Sequence, residues 1–271
     1  MASKIIANIR RNLENGADER VSNWLLMSTF WPNIAIIAVY LLLVYKILPE
    51  FMQNRKPFNL TRVIRVYNLG QVATCLFLIY WTATSGWVQG DYTLGCQLMD
   101  YSSKDPKALS LLQALHWAYF LKLTELIETI FFVLRKKFSQ VSALHVYHHT
   151  STLIVAWTSC KYIGGPMPSV HLMMNCFIHV LMYTYYYLSS KGPVWQKRIN
   201  PWKPWITRAQ MIQFTLLLLH LVPPLLPYCK VNKAYAIFTV FYMPNIIFLY
   251  YMFYDFYKKA YRREIVLKKI K

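Results

Sequence analysis

ALHVYHHTSTLIVAWTSC, residues 143–160, opens on an HxxHH cluster and runs on as an apolar stretch without a single Asp, Glu, Lys or Arg. The i, i+3, i+4 spacing of His145, His148 and His149 puts the three imidazoles on one helix face. An uncharged run of about 18 residues is a candidate to cross a bilayer as a helix. Imidazoles are costly in hydrocarbon, so a group of them at a membrane boundary points to function rather than packing.

The rest of the chain has the same character. Of its 271 residues 56% are hydrophobic, 17% aromatic and only 15% charged, where a soluble domain carries about 25% charge. Windows of about 20 charge-poor residues recur, and they predict seven spans, at 28–48, 64–84, 111–134, 143–160, 168–188, 209–228 and 236–256. The expected fold is an all-α integral membrane protein of one domain, 1–271, with a short N-terminal segment 1–27 and a basic tail 257–271. Residues 1–23 are polar and lack the apolar stretch of a secretory signal. No internal repeat, low-complexity tract or second soluble domain interrupts the pattern.

Basic residues orient the bundle. Nine Lys/Arg fall in the N-terminal segment and the even-numbered connections, against twenty in or beside the odd-numbered connections and in the tail. The positive-inside rule then makes the N-terminus lumenal and the C-terminus cytosolic. The formal +19 is mostly a property of that cytosolic face. Topology alone explains such a charge; so does a phosphate-bearing ligand entering from the cytosol, with Lys203 and Arg208 as candidate contacts. No nucleic-acid partner is expected.

One basic residue falls in neither group. Lys122 lies inside the third span with the only acids in any span core, Glu125 and Glu128, and Lys122 and Glu125 can pair at i, i+3. A buried ion pair stabilises little by itself, so its place in an apolar helix suggests a polar interior shared with other groups. In the fifth span Asn175 and His179 are i, i+4, with Met182 and Tyr183 one turn on. Asn175 is placed to orient one nitrogen of His179 and leave the other free. At about 1.5 Å per residue, these groups and Gln213 of the sixth span lie within about 6–18 Å of the cytosolic ends of their helices. They are able to line one cavity.

KLTELIET (122–129), FFVLRKK (131–137), LHVYHHT (144–150), NCFIHVLMY (175–183) and TRAQMIQF (207–214) together resemble the ELO family, the elongases of very-long-chain fatty acids, in its animal form. The resemblance covers about residues 20–265 in order and spacing. One departure is Glu128, where the family's KxxExxDT has Asp; the carboxylate is kept but reaches one methylene further.

The resemblance implies a multi-pass enzyme of the endoplasmic reticulum with six helices around a narrow tunnel and the first helix outside. It would condense a long-chain acyl-CoA with malonyl-CoA to a 3-oxoacyl-CoA, releasing carbon dioxide and CoA, with CoA at the cytosolic face. Both thioesters are substrates, so no cofactor or metal is implied. An imidazole takes an acyl group from a thioester to give an acyl-imidazole, which splits a difficult step in two and makes the kinetics ping-pong; a narrow apolar tunnel protects that intermediate from water. By resemblance His148 is the nucleophile and His179 a second imidazole at the thioester carbonyl or malonyl unit. His145 and His149 orient the cluster, and Lys122, Glu125 and Glu128 position it electrostatically. Asn175, Met182, Tyr183, Gln210 and Gln213 are candidate substrate-binding support. The family also suggests a homodimer and the other enzymes of the elongation cycle as partners.

Cys96 and Cys229 both fall in connections on the lumenal side, an oxidising setting, and a disulfide between them is expected. Lys268-Lys269-Ile270-Lys271 fits a dilysine retrieval signal, which must face the cytosol. The sequon Asn59-Leu60-Thr61 falls on the cytosolic side and should stay unmodified. HxxHH also occurs in membrane di-iron desaturases and hydroxylases, but those draw on about eight histidines in three boxes; this chain has 7 histidines and one box.

Overall fold

The computed structural model describes residues 17–269 apart from residues 100, 102 and 103, with backbone alone over 262–269. The described residues are mostly helical and contain no strand. Four stretches are long and apolar enough to cross a membrane: Trp31–Met52, Thr61–Trp87, Pro193–Leu225 and Lys233–Tyr261. The chain is therefore a multi-pass membrane protein.

The helices in order are α1 (Trp31–Met52), α2 (Thr61–Trp87), α3 (Pro106–Glu125), α4 (Ile127–Leu134), α5 (Ala143–Tyr162), α6 (Pro166–Ser189), α7 (Pro193–Ile199), α8 (Lys203–Leu221) and α9 (Lys233–Lys269). Going around the bundle, α2 packs on α3, α3 on α5, α5 on α9, α9 on α8, α8 on α6, and α6 back on α2. Helix α1 is not a member of that circuit; it packs its last turns against α4, and its Asn33 accepts from the Tyr119 hydroxyl of α3 at 2.8 Å.

Local chemistry sets where these helices start and stop. Pro106, Pro166 and Pro193 open α3, α6 and α7, where a missing N–H costs nothing. Ser142 caps α5 by accepting from the His145 amide at 3.2 Å, which fixes the first turn of the histidine helix. Helix α4 ends where Lys136 turns to φ 54° and Lys137 N–H donates to Phe132, a left-handed stop of the Schellman kind. Gly86 ends α2 at φ 116°, a conformation that suits glycine alone.

Two sequence expectations are corrected. The span at 111–134 is two helices, because at Leu126 the amide turns back to Leu123 and the α ladder breaks between Glu125 and Ile127. The span at 209–228 begins earlier, at Lys203, and stops at Leu221, where Pro223 and Pro224 cannot continue it. Residues 257–269 of the basic tail are helical, continuing α9, with Asp255 and Lys259 paired at i, i+4 over 2.7 Å. The dilysine side chains, Ile270, Lys271 and residues 1–16 lie outside the described residues.

The connections sort to two ends. At one, the Cys96–Cys229 disulfide is formed as expected, Met99 exchanges hydrogen bonds with Asn232, and Asp18 N–H donates to Lys161. At the other, Phe58 N–H donates to the end of α4 at Leu134, and Arg65 reaches the Ser190 carbonyl at 2.7 Å.

Candidate functional site

The polar side chains of α3, α4, α5 and α6 meet in the interior. Lys122 Nζ donates to both oxygens of Glu125, at 2.7 and 3.0 Å, with Glu125 fully buried. One turn on, Glu128 Oε1 accepts from the hydroxyls of Tyr67, at 3.0 Å, and Tyr183. His149 stands between the two carboxylates: Nδ1 is 3.8 Å from Glu125 and Nε2 is 3.7 Å from Glu128. His179 Nε2 is 4.0 Å from the other oxygen of Glu125. These gaps are too long for hydrogen bonds, so the imidazoles sit in the field of the carboxylates without being locked to them.

His145 is held from the opposite side. Its Nε2 shares a hydrogen bond of 2.8 Å with Thr129, whose hydroxyl meets Tyr40 of α1 at 2.7 Å. The outlying helix thus reaches the histidine cluster through one relay, and the His145 and His149 rings lie 4.2 Å apart by centroid.

His148 is different. No hydrogen bond ties its imidazole among the described residues; its ring neighbours are His149 at 5.3 Å and Phe253 at 5.9 Å. It lies where two spaces join. A chamber of about 440 Å³ is lined by His145, His148, His149, His179, Glu128 and Lys203, with Gln210 and Met182 on its wall. An inner, mostly apolar pocket of about 90 Å³ runs from Lys122 and His148 past Leu115, Leu172 and Leu217 to His171. Both are lined by His148, Asn175, Gln213 and Phe214. A polar head and an apolar tail would therefore part company at His148.

The sequence-expected residues are mostly here, with two differences. Tyr183 is turned to Glu128 rather than to either space. Arg208 lines neither; its Nε donates to the Tyr257 hydroxyl at 2.8 Å and its guanidinium lies over Trp205. It points away because Gln210 and Gln213 occupy the inward face of α8. The Asn175 side chain lines the junction and does not orient His179 as expected, since His179 Nδ1 has no hydrogen-bond partner. The sequence does not mark Tyr67 and Tyr40 as site residues; Tyr67 with Asn68 and Gln71, polar at helical spacing in an apolar span, is the signal for the first of them.

Glu128, His145 and His149 bring donor atoms within 4.8 Å of one another, a spacing that fits a cation. Two of the three already hold hydrogen bonds, to Tyr67, Tyr183 and Thr129. The remaining histidines lie apart from the cluster: His116 donates to the Leu25 carbonyl at 3.0 Å, and His171, at the far end of the inner pocket, pairs with His220 at 2.9 Å. Cys75 and Cys176 pack in one apolar cluster between α2, α3 and α6.

Residues 25–269 match the family model described as ELO, GNS1/SUR4 family. The chain is 37% identical over 260 residues to a very long chain fatty acid elongase of Aedes aegypti, covering 96% of this chain and 72% of the relative. It is 38% identical over 250 residues to very long chain fatty acid elongase 7 of Drosophila melanogaster, covering 92% and 74%. With very long chain fatty acid elongase 4 of Mus musculus the identity is 38% over 238 residues, covering 88% and 75%.

Proposed function

Because the chain belongs to the ELO family, alongside the very long chain fatty acid elongases, we propose that it is the condensing enzyme of fatty acid elongation. It joins an acyl-CoA to malonyl-CoA and yields a 3-oxoacyl-CoA, carbon dioxide and CoA, by ping-pong transfer through an acyl-imidazole on His148. The observation that carries this reading is the position of His148 at the junction of a polar chamber and an apolar pocket.

Each residue then has a task. The thioester carbonyl sits against His148, the acyl chain runs into the inner pocket, and CoA occupies the chamber toward Lys203. His148 attacks because no hydrogen bond restrains its ring. His179, across the chamber, polarises the carbonyl or steers the malonyl unit. His145 is oriented by Thr129, and His149 by the fields of Glu125 and Glu128. Lys122 neutralises Glu125, so the site carries no uncompensated charge from that pair into an apolar interior. Asn175 and Gln213 offer hydrogen bonds at the junction, and the apolar lining beyond limits water, which would hydrolyse the intermediate.

In this reading all seven long helical segments span the membrane as one domain over 1–271. The six of the packing circuit form a barrel around the tunnel. The disulfide end is lumenal, the N-terminus with it, and the C-terminus carries its dilysine signal, Lys268 and Lys269, into the cytosol from the endoplasmic reticulum. No cofactor enters the reaction. A homodimer and the other enzymes of the cycle are the expected assemblies.

The test is turnover of labelled malonyl-CoA by protein reconstituted in lipid, with metal content measured on the same sample. Acyl-dependent release of labelled carbon dioxide supports the condensing reaction. Stoichiometric iron with no such release would favour a di-iron oxidase on Glu128, His145 and His149.

A further inference from the structure

A second polar chamber, of about 350 Å³, adjoins the first and is lined by Ile64, Tyr67, Asn68, Glu128, Arg135 and Gln196. His148 and His179 do not line it, so a thioester seated there would not reach the imidazoles. Its volume and lining suit water, and Asn68, 3% exposed, presents an amide nitrogen without a hydrogen-bond partner. The carboxylate of Glu128 is common to both chambers. On one side Oε1 accepts from Tyr67; on the other Oε2 faces His149 Nε2 at 3.7 Å, and His149 Nδ1 faces Glu125 at 3.8 Å. Each gap is less than about 1 Å beyond hydrogen-bond length, a distance that a small ring rotation closes.

We propose that this second chamber is a water inlet, and that Tyr67, Glu128 and His149 relay from it the proton that the condensation consumes. This deepens the reading above and rests on it. The balance requires one proton per turnover. The malonyl C–carboxylate bond breaks, carbon dioxide leaves, and the electron pair forms the new C–C bond. In the first half-reaction the acyl C–S bond breaks as the C–N bond to His148 forms, and the departing thiolate takes the imidazole proton to become CoA thiol. In the second, that C–N bond breaks as the C–C bond forms, and the relayed proton restores the His148 imidazole. An acyl-imidazole does not survive in a chamber open to bulk water, so the proton has to travel on side chains. A carboxylate and an imidazole in series, wetted only at the far end, meet that need. Tyr67 contacts no reacting atom here; it positions Glu128 and connects it to the inlet.

Three variants test the relay in lipid-reconstituted full-length protein: Glu128→Gln, Tyr67→Phe, and Ile64→Trp, which fills the inlet without touching the histidines. General acid catalysis is worth about 10²–10⁴-fold, so Glu128→Gln should lower kcat by at least about 10²-fold, and the other two by about 10-fold. KM for both thioesters should stay within about twofold, and the solvent deuterium isotope effect on kcat should rise in Tyr67→Phe and Ile64→Trp. Unchanged kcat and isotope effect in these two overturn the relay. So does a raised KM in Ile64→Trp, which would make the chamber a substrate site. If Glu128→Gln does not fold, the other two variants decide alone. Absence of condensation by the wild-type protein would instead defeat the reading on which the relay stands.

Discussion

Lys122 and Glu125, three residues apart on α3, form a bidentate ion pair at 2.7 and 3.0 Å with 9% and 0% of their side chains exposed. Breaking one half of a buried pair leaves the other charge without compensation, at a cost of about 3–5 kcal/mol. Lys122→Met should therefore lower the melting temperature in detergent sharply and abolish turnover. The double variant Lys122→Met with Glu125→Gln should recover much of the stability and none of the activity. Equal melting temperatures for the single and double variants would show that the pair is not coupled.

Thr129 links His145 to Tyr40 of the outlying helix. Thr129→Val keeps shape and removes both hydrogen bonds, leaving buried partners unsatisfied at about 1–3 kcal/mol each. Turnover should drop in Thr129→Val and to a smaller extent in Tyr40→Phe, with the double variant no worse than Thr129→Val. Additive losses would mean that Tyr40 does not act through Thr129.

Lys203 lines the chamber, whereas Arg208 is engaged with Tyr257 and Trp205. Lys203→Ala should raise KM for the CoA thioesters several-fold with kcat little changed, the signature of lost uniform binding. Arg208→Ala should leave KM where it is. The reverse pattern in steady-state kinetics would move the CoA phosphates to the outer face of α8.

The disulfide joins residues 133 apart in sequence and ties the connection after α2 to that before α9. Its removal in Cys96→Ser, Cys229→Ser should cost about 2–5 kcal/mol, read as a lower melting temperature. The acyl-transfer step at 25 °C should persist, since neither cysteine borders the two spaces at His148. Asn59, at the opposite end, accepts from the Thr61 hydroxyl at 2.8 Å and should carry no glycan when the protein is isolated from a secretory cell. Glycan at Asn59 would reverse the orientation.

Much of this was legible from residue order. His145, His148 and His149 at i, i+3, i+4, the Lys122–Glu125 pair and the Cys96–Cys229 pairing each depend on spacing or compartment, which sequence carries. What stayed hidden depends on how one helix is rotated against the next. Helices such as α8 are apolar on nearly every face, so periodicity does not say that Gln213 turns in and Arg208 out. Tyr40 reads as an ordinary aromatic residue of a span, and Tyr67, even beside Asn68 and Gln71, does not reveal its role, because their partners, Thr129 and Glu128, lie 89 and 61 residues away. The break at Leu126 had no proline or glycine to announce it.

The nucleophile can be weighed. Wild-type protein and His148→Gln are each incubated with a long-chain acyl-CoA alone, with no malonyl-CoA, and their intact masses are recorded. An added acyl group on the wild-type chain, mapped to His148 and missing from His148→Gln, is the expected result. No adduct on the wild-type protein despite active condensation, or an adduct that persists in His148→Gln, would contradict acyl transfer through this imidazole.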